Sequence, residues 1–154
     1  MLSIFLLSLS SFGVHYTRSF LTIFSVYLIQ DGLLSPAGYG ALLSLMAFSS
    51  ILVPLYFGYL ASRTAEPFSI MISLLSIVLL SQLMFVVSIA HRSFLLEMVA
   101  WGIFGLCASS ISSMQRAITS QYFVQDQGMG TGIYISLANA SKVLGKLSVA
   151  PTMV

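Results

Sequence analysis

The chain is 154 residues long, 58% hydrophobic and only 6% charged, with a formal net charge of +2. Soluble domains carry roughly 25% charged residues, so six Lys and Arg with four Asp and Glu cannot cover a water-facing surface. Together with a mean hydropathy of +1.00, this excludes a soluble globular enzyme, a nucleic-acid binder and a disordered tail, and predicts an integral membrane protein solvated mainly by the lipid bilayer.

A bilayer-crossing helix needs about 20 mostly apolar residues. Residues 2–29, 37–60, 68–90, 93–115 and 128–150 meet that requirement. The expected fold class is all-α: a polytopic membrane helix bundle of about five transmembrane helices in a single domain, 1–154, because lipid offers the backbone no hydrogen-bond partners outside a helix or a closed barrel. Residues 69–89 lack the alternating polarity of barrel strands. No basic segment precedes the first apolar run, so that run is not read as a removable signal peptide. The first connection is Gln30-Asp31-Gly32 through Ser35-Pro36, with Pro36 placed where a helix can begin. Arg63 to Pro67 forms the second, His91-Arg92 the third, and Arg116 to Gln127 the longest. Arg63 and Arg116 against Arg92 favour a cytoplasmic N-terminus.

The first span starts at the chain's beginning and the fifth runs to its end, which predicts either a truncated portion of a longer protein or a small bundle that assembles with other chains. An internal echo agrees with the former. Tyr27-Leu28-Ile29-Gln30-Asp31 after the first span matches Tyr122-Phe123-Val124-Gln125-Asp126 after the fourth. Transporter halves are often three helices followed by three inverted ones, a plan in which helix 1 corresponds to helix 4.

Ionisable groups inside a span cost about 2.5–3.5 kcal/mol even on insertion scales, so they tend to face a cavity or a partner. Arg18 lies inside the first span with His15 on the same face one turn earlier. They suit a cationic site for a carboxylate or another anionic group, with His15 a candidate proton-coupling residue. The competing reading starts the span near Phe20 and lets Arg18 reach the headgroups. Lys142 and Lys146 share a face of the fifth span, and Asn139 adds a neutral hydrogen-bonding group one turn earlier. Like charges so placed call for water, an anion or acidic partners; alternatively Lys146 reaches the interface while Lys142 pairs with an acid. Gly128-x-x-x-Gly132 and Ser141-x-x-x-Gly145 are small-residue spacings that let membrane helices approach closely. Glu97 reads as an interface residue or a coupling carboxylate.

No catalytic constellation emerges. Two His, one Cys and four carboxylates offer neither metal-ligand spacing nor a nucleophile beside a base, and no Gly-rich phosphate loop is present. Cys107 reads as a small apolar side chain. No enzyme activity, metal or cofactor is expected.

The stretch Leu33-Leu34-Ser35-Pro36-Ala37-Gly38-Tyr39-Gly40-Ala41-Leu42-Leu43-Ser44 resembles the helix 1–2 junction of major facilitator superfamily transporters. Gly58-Tyr59-Leu60-Ala61-Ser62-Arg63-Thr64-Ala65 is similar to that superfamily's G-x-L-A-D-R-x-G signature between helices 2 and 3. Gln115 to Phe123 and Gly132 to Ser136 resemble the branch that includes lysosomal dipeptide carriers. The resemblance implies helices 1–5 of a twelve-helix transporter, with Gly58, Ser62 and Arg63 in a gating loop. Here Ser62 stands for the signature's Asp and Ala65 for its second Gly, and Trp101 occupies the helix 4 position that often holds Arg. The implied function is secondary active or facilitative transport of a small anionic or zwitterionic solute, an organic anion or small peptide, coupled in some cases to a proton. The site would comprise Arg18, His15, Lys142 and Asn139, and a missing C-terminal half would complete it. The implied location is multi-pass in an endomembrane, lysosome-like, or in the plasma membrane. By itself the chain is not expected to transport. The alternative is a non-transporting membrane protein, an assembly partner or regulator that forms a homo-oligomer through the glycine-rich fifth helix.

Overall fold

The computed structural model describes residues 2–64, 66–122 and 124–149. The expected end of the fifth span at residue 150 and the motif positions Ala65 and Phe123 lie outside the described residues. Helices run over Leu2–Gln30 (α1), Pro36–Arg63 (α2), Pro67–Ala90 (α3), Phe94–Tyr122 (α4) and Gln127–Leu147 (α5), with a 3-10 turn at Val124–Asp126. No strand occurs among the described residues.

Local chemistry sets most of the helix ends. Gly32 adopts φ +69° after α1, and the Leu33 and Leu34 amides both donate to the Leu28 carbonyl. This reverses the chain and satisfies an orphan helix carbonyl. The Ser35 hydroxyl then accepts from the Gly38 amide at 3.0 Å, and Pro36 opens α2 with its ring already at a helical φ. The turn between α3 and α4 solves the same problem with Arg92 at φ +51°, while the Ser93 amide donates to the Ser88 carbonyl.

The fourth connection differs from expectation. Residues 116–122 are helical, so Arg116 belongs to α4 and the link to α5 shrinks to a few residues. The cause is packing: Ile118 and Thr119 continue the buried stripe of α4 after the apolar run has ended.

α4 is the central helix. Its most apolar stretch is 50% buried, against 18% and 22% for α2 and α3, which flank it on either side. Trp101, Phe104, Ile111 and Met114 of α4 pack with Leu42 and Met46 of α2. The crossing is close at Gly105, where a Cβ would lie 2.9 Å from Met46 Cγ and 3.0 Å from its Cα. On α3 the buried residues Met71, Leu74, Val78, Ser81, Phe85 and Ser88 form one stripe at alternating three- and four-residue steps. Its opposite face exposes Leu79, Leu83 and Val86. A helix apolar on both faces with only one packed is suited to lipid on the other. α1 and α5 form the second tight pair.

Of the five expected spans, α2, α3 and α4 are each long and apolar enough to cross a membrane, which is compatible with an integral membrane protein. α1 carries the polar run His15-Tyr16-Thr17-Arg18-Ser19 near its middle, and α5 carries Asn139, Lys142 and Lys146. The two helices with interrupted hydropathy are the two that pair with each other.

Serine hydroxyls are absorbed locally. Ser81, Ser88 and Ser141 donate to the carbonyl three residues earlier at 2.7–2.8 Å, and Ser110 to the carbonyl four earlier at 2.7 Å. Each of these four buried hydroxyls thus finds its acceptor within its own helix.

Candidate functional site: a cationic cleft between the first and fifth helices

The seam between α1 and α5 is built on small residues. Ala138, Ser141 and Gly145 are the buried stripe of the C-terminal half of α5. A Cβ at Gly145 would stand 2.6 Å from the Tyr16 carbonyl oxygen and 3.1 Å from Ser19 Cβ, so only glycine permits this approach. The Tyr16 hydroxyl donates to Ser148 Oγ at 2.8 Å and the Tyr27 hydroxyl to the Val149 carbonyl at 3.3 Å, holding the far end of the seam.

Lys142 and Lys146 each follow a seam residue by one position, which sets them at its margin. Across from them, His15, Arg18, Ser19 and Thr22 recur at the spacing of one helical face on α1. These six side chains, with Ile23, line a cleft of about 370 Å³. Arg18, Lys142 and Lys146 are at least partly exposed to its opening, and His15 is half-buried. No carboxylate lines the cleft. Among the described residues, none of its three cations forms an ion pair. The Thr22 hydroxyl donates to the Arg18 carbonyl at 2.8 Å, which fixes the local turn of α1.

The structure therefore gathers His15, Arg18 and Lys142 on one surface and adds Lys146, Ser19 and Thr22. Asn139 is exposed one turn before Lys142 and does not line the cleft.

Tyr134 is a member of the site that sequence reasoning missed. Its hydroxyl lies 3.3 Å from His15 Nε2, and the Arg116 guanidinium sits 5.7 Å from its ring centroid. It thereby links the cleft to a smaller cavity of about 150 Å³ lined by Gln115, Arg116, Thr119, Gln127 and Thr131. Beneath that cavity Gln115 is buried. Its Nε2 donates to Ser8 Oγ at 3.1 Å and its Oε1 accepts from the Ser11 hydroxyl, a polar clamp between α4 and α1.

The remaining expected positions are dispersed. Gly128 and Gly132 are exposed, and a Cβ added at either would meet none of the described residues within 4 Å, so the close approach occurs at Gly145 and not at these two. Gly58 also meets nothing within 4 Å. The Ser62 hydroxyl donates to the Tyr59 carbonyl at 2.7 Å, and the Arg63 guanidinium lies 5.5 Å from the Tyr59 ring centroid. Glu97 is buried in α4, and among the described residues neither its Oε1 nor Trp101 Nε1 has a hydrogen-bond partner. Among the described residues no group of His, Cys, Asp and Glu is placed to hold a metal ion. No family model, curated protein or solved structure matches this chain.

Proposed function

We propose that this chain is part of a secondary transporter of the major facilitator type, with all five helices crossing the membrane and an anionic solute bound between α1 and α5. The observation that carries the reading is the cleft itself. The two helices outside the three long apolar spans, α1 and α5, pair so that Arg18, Lys142, Lys146 and His15 face one opening. Cations set within such helices call for a compensating anion or a water-filled path. The helix pairing offers further support. α1 pairs with α5 and α4 with α2, and exchanging helix 1 with 4 and helix 2 with 5 maps one pair onto the other. That is the relation expected of an inverted repeat, in which the solute sits near the midplane and access alternates by rocking.

Two measurements test the reading. An encoding transcript that continues in frame into further hydrophobic spans supports it, and a genuine stop codon with a stably expressed product counts against it. The chain reconstituted alone in liposomes should bind an anion without accumulating it. Accumulation abolished by Arg18→Ala would instead show that five helices suffice.

A second reading has its own observation. Gly128 and Gly132 present an exposed small-residue face with open space before it, and such a face fits another membrane helix. On that reading the chain is an assembly partner or regulator. Cross-linking between cysteines introduced beside Gly132 in two copies, lost in Gly132→Leu, would favour it.

A further inference from the structure

We infer that the solute held in the cleft is a dianion, a dicarboxylate or a phosphate monoester, and not a zwitterion; this rests on the proposed role of the cleft as the solute site. Three formal cations, Arg18, Lys142 and Lys146, line the same opening. All four carboxylates of the chain lie elsewhere: Asp31 follows α1, Glu66 precedes α3, Glu97 is buried in α4 and Asp126 precedes α5. The ammonium of a zwitterion would meet three cations and, among the described residues of this chain, no acid in the cleft. A monoanion would leave two of the three uncompensated. On the proposed reading, in which α1 and α5 cross the membrane, charge in the cleft is weakly screened and both are penalised.

The placement of the charges agrees with their number. Arg18 stands on the α1 wall and offers a planar fork that matches a carboxylate or phosphate with two parallel hydrogen bonds. Lys142 and Lys146 stand on the α5 wall as point charges one turn apart. Two acidic groups, one towards each wall, satisfy both sides together. Ser19 and Thr22 bring hydroxyls to the same surface, and Ile23 is its one apolar member. The cleft volume of about 370 Å³ falls at the lower end of the roughly 300–1,000 Å³ of small-ligand sites, the range for a compact solute and not a long peptide.

The same chemistry is available from a free metabolite or from a lipid phosphate monoester, and one experiment separates them. The full chain is placed in phosphatidylcholine nanodiscs, and binding of succinate, glycerol phosphate, monomethyl succinate and glycylglycine is measured calorimetrically near neutral pH. Succinate or glycerol phosphate should bind at least about tenfold more tightly than monomethyl succinate, as one added charge-assisted contact predicts. Glycylglycine should bind most weakly. Arg18→Gln and, separately, Lys146→Gln should each reduce that ratio towards one, with helical circular dichroism and elution volume unchanged. Lys146→Gln keeps the test sharp should the Arg18 variant fail to fold. Adding phosphatidic acid to the discs identifies the source. Competition by this lipid supports the dianion with a headgroup as occupant, and its absence supports a soluble solute.

Equal or tighter binding of monomethyl succinate or glycylglycine overturns the inference, as does failure of every probe to bind. Uptake of glycylglycine by a cell expressing the chain, dependent on Arg18, would overturn the dianion and leave the transporter reading standing. Arg18-dependent dianion binding by a product with a genuine stop codon would do the reverse.

Discussion

The hydroxyl of Tyr134 lies 3.3 Å from Nε2 of His15, and the same ring carries the Arg116 guanidinium over its face at 5.7 Å. One side chain of α5 therefore touches both α1 and α4. Removing only the hydroxyl, in Tyr134→Phe, should cost about 0.5–1.5 kcal/mol, the usual net value of one hydrogen bond. Tyr134→Ala should cost about a further 0.5–1 kcal/mol by deleting the surface under the guanidinium. Thermal unfolding in detergent of both variants, each alone and combined with His15→Ala, gives the measurement. If the Phe variant and the His15→Ala variant add without coupling, the contact contributes nothing.

Glycines of α5 should divide sharply in their response to substitution. Gly145→Ala puts a methyl group 2.6 Å from the Tyr16 carbonyl oxygen, and that obstacle is backbone, so the α1–α5 seam must open. Overpacking of this kind typically costs about 1–3 kcal/mol. Gly128→Ala and Gly132→Ala meet nothing within 4 Å and gain the helix propensity of alanine, up to about 1 kcal/mol in favour of the fold. The melting temperatures of the three single variants test this directly. A Gly145→Ala protein as stable as the parent would mean that the helices do not approach here.

The helices are legible in the sequence because long apolar runs are separated by Gly32, Pro36 and Pro67, residues that stop or start helices for steric reasons, and by the polar His91-Arg92 pair. Arg18, His15 and Lys142 are legible because an ionisable side chain stands out against apolar neighbours. What hydropathy does not carry is the identity of the face on which one helix meets another. That is set by where glycine and serine permit contact, and here it turns on Gly145. It decides that Lys146 joins the cleft and that Asn139, three residues from Lys142 on the same helix, does not. Tyr134 and Gln115 are hidden for a different reason. An aromatic in a chain with seven Tyr and eleven Phe has no distinguishing local signal, and an amide near the end of an apolar run reads as surface. The end of α4 escapes hydropathy because charge at Arg116 interrupts the apolar run while the buried stripe continues through Thr119.

Arg92 holds a left-handed conformation, φ +51°, at the reversal between α3 and α4. An L-residue with a Cβ is disfavoured there by about 1–2 kcal/mol, a penalty that glycine escapes. Arg92 is exposed, and its backbone lies within a turn closed by the Ser93 amide on the Ser88 carbonyl at 3.0 Å. Arg92→Gly should therefore stabilise the protein by about 1 kcal/mol, while Arg92→Val, β-branched at the same φ, should destabilise it. Opposite shifts in melting temperature for the two variants are expected. Equal losses in both would show that the side chain, and not the backbone, matters at this position.

Gln115 is buried between α1 and α4, donating to Ser8 and accepting from Ser11. Both serines are themselves buried, at 1% exposure, so no water replaces a lost partner. Gln115→Leu keeps a comparable volume but orphans two hydroxyls. Each hydroxyl can turn to a carbonyl of its own helix, as Ser10 already does towards Leu7 at 2.7 Å. That escape lowers the expected cost from the roughly 1–3 kcal/mol of a stranded buried group to about 1 kcal/mol, in line with interhelical hydrogen bonds in membrane proteins. Gln115→Glu should be worse. Oε1 still accepts from Ser11, but a carboxylate cannot donate to Ser8, and the burial that suits an amide penalises a charge. Unfolding free energies in mixed micelles rank the three proteins. The clamp is refuted if the Leu variant proves as stable as the parent and the Glu variant equals it.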